Sequence, residues 1–171
     1  MYDVIGERIA LKRITENDTD MVLKWRNSDE VRRYFIYKPI ISRGEHLKWL
    51  NTKVRTGLVE QFIVYDIDSG SPFASVYFRD IAKDKKCAEY GVFIGEQDYI
   101  GKGYGCEIAK TMIRYGFEEM GLESISLRVI GDNIRANRCY VKAGFFEYHR
   151  DVQNIDGELK EVIYMKIEKG K

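Results

Sequence analysis

The run Tyr99-Ile100-Gly101-Lys102-Gly103-Tyr104-Gly105-Cys106 places three glycines at alternate positions directly ahead of a long amphipathic stretch, Glu107–Met120. A glycine-rich turn that opens a helix aims several unpaired backbone N–H groups at one point, at the positive end of the helix dipole. Such a turn is an anion cradle, suited above all to a phosphate or pyrophosphate. It therefore proposes a ligand class as well as a strand-to-helix connection.

Periodicity orders the rest of the chain around this turn. Ile5–Ile14 reads as a first strand, with Ile5, Ile9, Leu11 and Ile14 set among charges. Asn17 or Asp18 is placed to cap a helix running to about Trp25, and a short helical piece follows over Glu30–Tyr34 before Pro39 breaks the chain. Ser42-Arg43-Gly44-Glu45 fits a capping box at the start of a helix carrying Leu47 and Leu50. Gln61–Ile67, Phe73–Phe78 and Ala88–Ile94 alternate as three strands. In the third, Tyr90, Val92 and Ile94 share one face, and Glu89, Gly91 and Phe93 share the other. Beyond the Glu107–Met120 helix come a strand over Ser124–Ile130 and a helix over Asn133–Ala143 stopped by Gly144. Phe145–Val152 and Glu158–Ile167 then flank the hairpin turn Asn154-Ile155-Asp156-Gly157.

Strands thus interleave with helices in one domain over residues 1–171, of α/β (α+β) class, with no repeat, linker or low-complexity segment. The 44% of apolar residues suffices for a core, and the formal charge of +1 gives no case for nucleic acid or an anionic membrane. Local basic clusters at Arg32-Arg33 and Lys83-Lys85-Lys86 read as solvated surface. No apolar run reaches the roughly 20 residues of a membrane span, and the N-terminus lacks a signal peptide's order, so the expected compartment is the cytoplasm. Cys87, Cys106 and Cys139 are odd in number and widely spaced, against a disulfide framework or a zinc site. With only His46 and His149, no metal centre is expected.

The glycine turn leaves three readings open on its residues alone. A nucleotide P-loop needs G-x-x-x-x-G-K-[ST], and here Gly103 follows Lys102. A Rossmann fingerprint is matched by Gly101 and Gly103, but Cys106 holds its last glycine position. The third reading is a tight connection without a ligand.

The wider sequence resembles the GNAT N-acetyltransferase superfamily. Gly103 and Gly105 match the two small positions of its acyl-CoA motif, [RQ]-x-x-G-x-[GA], while Ile100 stands where the motif has Arg or Gln. Asn133-x-x-Ala136-x-x-x-Tyr140-x-Lys142-x-Gly144-Phe145 resembles its second signature. Ala88–Val92 is similar to its central strand and Val162–Met165 to its last, so the likeness spans roughly residues 5–167.

The resemblance implies a mixed, mostly antiparallel sheet, splayed where the pantetheine arm of acetyl-CoA inserts. It implies that backbone groups of Val92, Phe93 and Ile94 bond that arm, and that amides of Gly101, Lys102, Gly103, Tyr104 and Gly105 hold the pyrophosphate. It places Tyr140 as general acid, and Asn133 and Asn137 toward the cofactor. Glu89, on one face of the central strand, is the candidate base acting through water. Direct transfer in a ternary complex is implied, so Cys106 and Cys139 are expected to pack as small apolar residues and not to carry an acyl group. His46 and His149 are expected at the surface or in packing, with His46 a secondary candidate for substrate contact.

Two acceptor classes follow from Trp25-Arg26-Asn27 and Glu45-His46-Leu47, which resemble subgroups acting on amino sugar-nucleotides and on protein N-termini. Asp29, Glu30 and Glu45 would draw a cationic amine, whereas Arg26, Arg32 and Arg33 would draw a diphosphate. No dense acidic patch supports a polyamine. A homodimer is the expected assembly, and a non-catalytic acyl-CoA sensor on the same fold is the alternative function.

Overall fold

The computed structural model describes Met1–Lys171, all of the chain. Its centre is one eight-stranded sheet: β1 (Val4–Ile5), β2 (Ile9–Arg13), β3 (Glu60–Asp66), β4 (Pro72–Ala82), β5 (Cys87–Ile94), β6 (Ser124–Ile130), β7 (Phe146–Ile155) and β8 (Glu158–Glu168). The spatial order is β1-β2-β3-β4-β5-β6-β8-β7. Every pairing is antiparallel except β5 with β6. That parallel pair needs a crossover, which the long helix α4 (Tyr104–Glu118) supplies.

Helices cover both faces. α1 (Thr19–Arg26), α2 (Asp29–Arg32), α3 (Arg43–Trp49) and the π-helical turn Leu50–Val54 after it bury Val22, Trp25, Val31 and Leu50 against Ile63 and Phe93 on one face. On the other, α4 and α5 (Ile134–Ala143) bury Ile108, Met112, Tyr115 and Tyr140 against Val64, Val76, Tyr90 and Leu127. A fully buried side chain such as Met112 or Ile108 contributes about 1.5–3 kcal/mol. This places the α4 stripe as a principal anchor of the crossover. No helix is long and apolar enough to cross a membrane.

Several boundaries differ from the sequence expectation for local reasons. Ile5–Ile14 is two strands, because the chain reverses between Ile5 and Ile9 with the Gly6 N–H donating to the Ile9 carbonyl. The first helix is entered through a 3-10 turn, Glu16–Asp18, with Thr15 at its N-cap; Asp18 holds the N-cap position of α1, as expected, but makes no side-chain capping bond to it. Asp18 closes that turn by accepting from the Thr15 backbone N–H. α4 begins at Tyr104, three residues before the expected start, so the glycine turn runs into its first turn. Ser42 and Glu45 form the expected capping box, and Asp156-Gly157, both at positive φ, close the last hairpin.

Candidate functional site

β5 and β6 pair only through Cys87–Ser124, Ala88–Ile125 and Glu89–Ser126. β5 then continues to Ile94 against β4, and β6 to Ile130 against β8. The two strands therefore part after Glu89, and the β5 edge from Tyr90 to Ile94 loses its neighbour. An open edge of this kind offers backbone donors and acceptors to an extended ligand.

The wedge opens into a cavity of about 500 Å³. A second space of about 140 Å³ lies between the glycine turn and α5. Val92, Ile94, Ile100, Arg135 and Tyr140 line both, so the two spaces adjoin along a shared wall. Phe93 and Asn133 face the larger part, and Gly101, Gly103 and Gly105 face the smaller.

The three glycines serve different needs. Gly101 and Gly103 have φ of 76° and 83°, where L side chains are strained. Gly105 has no such φ and faces α5 across an ordinary gap: a Cβ there would reach Cys139 Sγ at 3.4 Å. No side chain caps the α4 N-terminus, so its first amides remain available for an anion. Arg8 braces the turn from below by donating to the Lys102 carbonyl at 3.2 Å and pairing with Glu107 at 2.8 Å. This contact, 94 residues away in sequence, had no sequence signal. The Lys102 side chain is exposed and lines neither space. The Tyr104 hydroxyl donates to Asp66 at 3.2 Å, which turns its ring away and leaves only its amide for the cradle.

Tyr140 is buried, its ring edge-on to Tyr90 and Phe145 with centroids 6.0 and 5.9 Å away. Burial pushes its phenol well above the ordinary range, so the hydroxyl keeps its proton. Glu89, the last residue of β5 paired to β6, accepts on Oε1 from Arg79 at 2.7 Å and Arg128 at 3.1 Å. Asn133 caps α5 by accepting from the Ala136 N–H at 3.3 Å while facing the larger space. Asn137 stands apart from both spaces: its amide donates to the carbonyls of Asn133 and Ile130.

Cys106 and Cys139 are half-buried free thiols. Burial, and then the neighbouring Cys106, push the Cys139 thiol up to about 11, which keeps it protonated and poorly nucleophilic. His46 is 5% exposed and lines neither space. His149 is exposed, beside Tyr164.

The wall opposite the glycine turn comes from α2 and the segment after it, through Glu30, Tyr34, Phe35 and Tyr37, and from Tyr77 and Arg79 of β4. Of the charges expected to draw an acceptor, only Glu30 lies here. Glu45 is engaged in its capping box. Arg26 is buried over the Phe35 ring at 3.8 Å, donating to the Tyr37 carbonyl. Arg32 donates to the Lys38 carbonyl. The charges that do face the space are Arg79, Arg128 and Arg135 against Glu30 and Glu89. The β-strand arginines were not legible as site residues, because their roles depend on strand register.

Residues 8–146 match the family model of the acetyltransferase (GNAT) domain. An uncharacterized N-acetyltransferase of Bacillus subtilis, YoaA, is 26% identical over 142 residues, 81% of this chain and 80% of its own. The acetyltransferase PseH of Campylobacter jejuni is 25% identical over 146 residues, 84% and 88% of the two chains. A crystal structure of spermidine N-acetyltransferase from Vibrio cholerae in complex with CoA and spermine superposes with a TM-score of 0.88. It is 23% identical, with 96% of this chain and 97% of that one covered. The fold, the motif-bearing turn and a domain match over most of its length agree: the chain belongs to the GNAT family of acetyl-CoA-dependent acetyltransferases.

Proposed function

We propose that the chain moves an acetyl group directly to a primary amine in a ternary complex, and that this amine belongs to an acceptor carrying an anionic group, best represented by an amino sugar-nucleotide. The observation that carries the reading is the pair of adjoining spaces with a shared wall. The glycine turn opens into one, Arg79 and Arg128 face the other, and Tyr140 lines both.

The residues present suit acetyl-CoA. The free edge at Val92, Phe93 and Ile94 would bond its amide-bearing arm. The Gly101–Gly105 amides would hold its pyrophosphate. Arg135, on the first turn of α5 and facing both spaces, supplies cationic character that Ile100 does not. When bound, acetyl-CoA supplies an acetyl thioester, and aminolysis of a thioester needs one proton removed from the amine and one given to the thiolate. Tyr140 holds the second of these protons at neutral pH. Both arginine contacts of Glu89 fall on Oε1, which leaves Oε2 to take the amine proton through a water.

With Arg135 given to the cofactor, the acceptor end has Arg79 and Arg128 beside Glu30 and Glu89. The two arginines can meet an anionic group on the acceptor, and two carboxylates already faced by arginines make a poor site for a polycationic amine. The test is thiol release from acetyl-CoA with a UDP-linked amino sugar, spermidine and a peptide bearing a free N-terminus. The amino sugar-nucleotide is expected to be turned over at least tenfold more efficiently than spermidine. A preference for spermidine, or no thermal stabilisation by acetyl-CoA, refutes the reading.

A further inference from the structure

Tyr77 of β4 stands directly opposite Gly91 of β5. A Cβ at residue 91 would lie 2.4 Å from the Tyr77 ring and 2.5 Å from its hydroxyl oxygen. Side chains do not approach so closely, so glycine at 91 is what lets the phenol end of the ring lie over the β5 backbone. The ring therefore reaches from β4 across β5 toward the parted edge. Gly91 is two residues beyond the last β5–β6 pair. The hydroxyl thus arrives where the wedge begins to open.

Three further observations bear on what that hydroxyl does. Tyr77 is half-buried and lines the larger space with Glu89, Phe93 and Arg128. Its hydroxyl has no hydrogen-bond partner in the protein, although Arg79, Glu89 and Arg128 line the same space. It also lies on the sheet face carrying Glu89 and Phe93, whereas Tyr140 packs in the core on the opposite face. The two phenols flank the wedge from either side.

We propose that Tyr77 is a catalytic residue on the acceptor side: its hydroxyl oxygen accepts an N–H hydrogen bond from the incoming primary amine and aims the nitrogen lone pair into the wedge. The assignment rests on the amine-acetylating function above. A neutral primary amine has two N–H donors and one lone pair. Anchoring one N–H on the Tyr77 side points the lone pair across β5, toward the side where Tyr140 holds its proton. The nucleophile then enters from one face of the sheet, and the leaving thiolate meets its acid on the other. Tyr77 gains and loses no proton overall. Because it contacts the nitrogen itself, its effect is common to every amine the enzyme accepts.

The decisive variant is Tyr77→Phe in the full chain, which keeps the ring over Gly91 and removes one oxygen. With no partner lost in the protein, its melting temperature and its stabilisation by acetyl-CoA are expected to match wild type. For whichever of the UDP-linked amino sugar, spermidine and peptide the wild type acetylates, kcat/KM is expected to fall about 10- to 100-fold. Calorimetric binding of that amine to the CoA-loaded protein should weaken by the same order. Gly91→Ala, which lifts the ring with Tyr77 intact, should reproduce the loss, and the double variant should add nothing to it. Wild-type amine kinetics and amine binding in Tyr77→Phe overturn the assignment. A wild-type protein that neither binds nor acetylates any of the three amines overturns the parent function, and this assignment with it.

Discussion

Gly103 and Gly105 are the two small positions of the cofactor motif, and the structure separates why each is small. Gly103 is the N-cap of α4 at φ 83°, a left-handed conformation that costs an alanine about 1–2 kcal/mol. Gly105 sits inside α4 with no positive φ, and its added Cβ would make ordinary contact with Cys139 Sγ at 3.4 Å. In a helix, alanine gains about 0.5–1 kcal/mol over glycine. The same substitution thus acts with opposite sign two residues apart. In a chain of this size 1 kcal/mol moves Tm by about 2–4 °C. Gly103→Ala is therefore expected to lower Tm by about 2–8 °C, and Gly105→Ala to leave it unchanged or raise it by up to about 4 °C. Ligand binding sharpens the contrast. Acetyl-CoA at a hundred times its Kd stabilises the native state by about 2.7 kcal/mol. Gly105→Ala should keep most of that gain. Gly103→Ala should lose most of it, because a turn relaxed out of the left-handed region swings the Lys102–Tyr104 amides off the anion. Thermal denaturation with and without acetyl-CoA measures both quantities. A Gly103→Ala protein with wild-type Tm and the full acetyl-CoA shift refutes the assignment of the cradle to backbone geometry.

Other outcomes follow from single contacts. Tyr140→Phe should lower kcat by about 10²- to 10⁴-fold without weakening acetyl-CoA binding, and full turnover in that variant removes Tyr140 from the chemistry. Glu89→Gln should lower kcat by about 10²- to 10⁴-fold with acetyl-CoA binding kept; unchanged turnover argues that another group takes the amine proton. Arg135→Ala should weaken acetyl-CoA binding, and the loss should shrink as salt is raised; a salt-independent loss points to packing instead. Stability should also depend on His46, whose ring nitrogens are both buried without partners. Burial, and then Arg43, lower its pKa, so the folded protein holds it neutral. Below the unfolded value of about 6.5 only the unfolded chain takes the proton. The associated stability is thus lost as pH falls, by about 1.4 kcal/mol per unit while the folded ring stays neutral. Denaturation between pH 7.5 and 5 should show this slope in wild type and not in His46→Leu; equal slopes exclude it.

What could be read from the chain and what could not divide along one physical line. The glycine turn, the Ser42–Glu45 capping box and the Asp156-Gly157 hairpin are legible because each is a local demand on a few consecutive residues. That Glu89 and Tyr140 stand at the wall of one cavity is legible because strand alternation and a family signature place them. The acceptor side follows no such rule. Arg128 reaches Glu89 from 39 residues away, and Arg8 braces the glycine turn from 94. Arg26 and Arg32 read as anion-binding charges, yet their guanidiniums are held by backbone carbonyls of the protein. Composition cannot separate a structural arginine from a binding one, because the difference lies in what stands across from it. Gly91 makes the same point in reverse. As a letter in the sequence it is a weak spot in a strand. Opposite Tyr77 it becomes the one residue that lets a phenol lie across the central strand, at the point where the sheet opens.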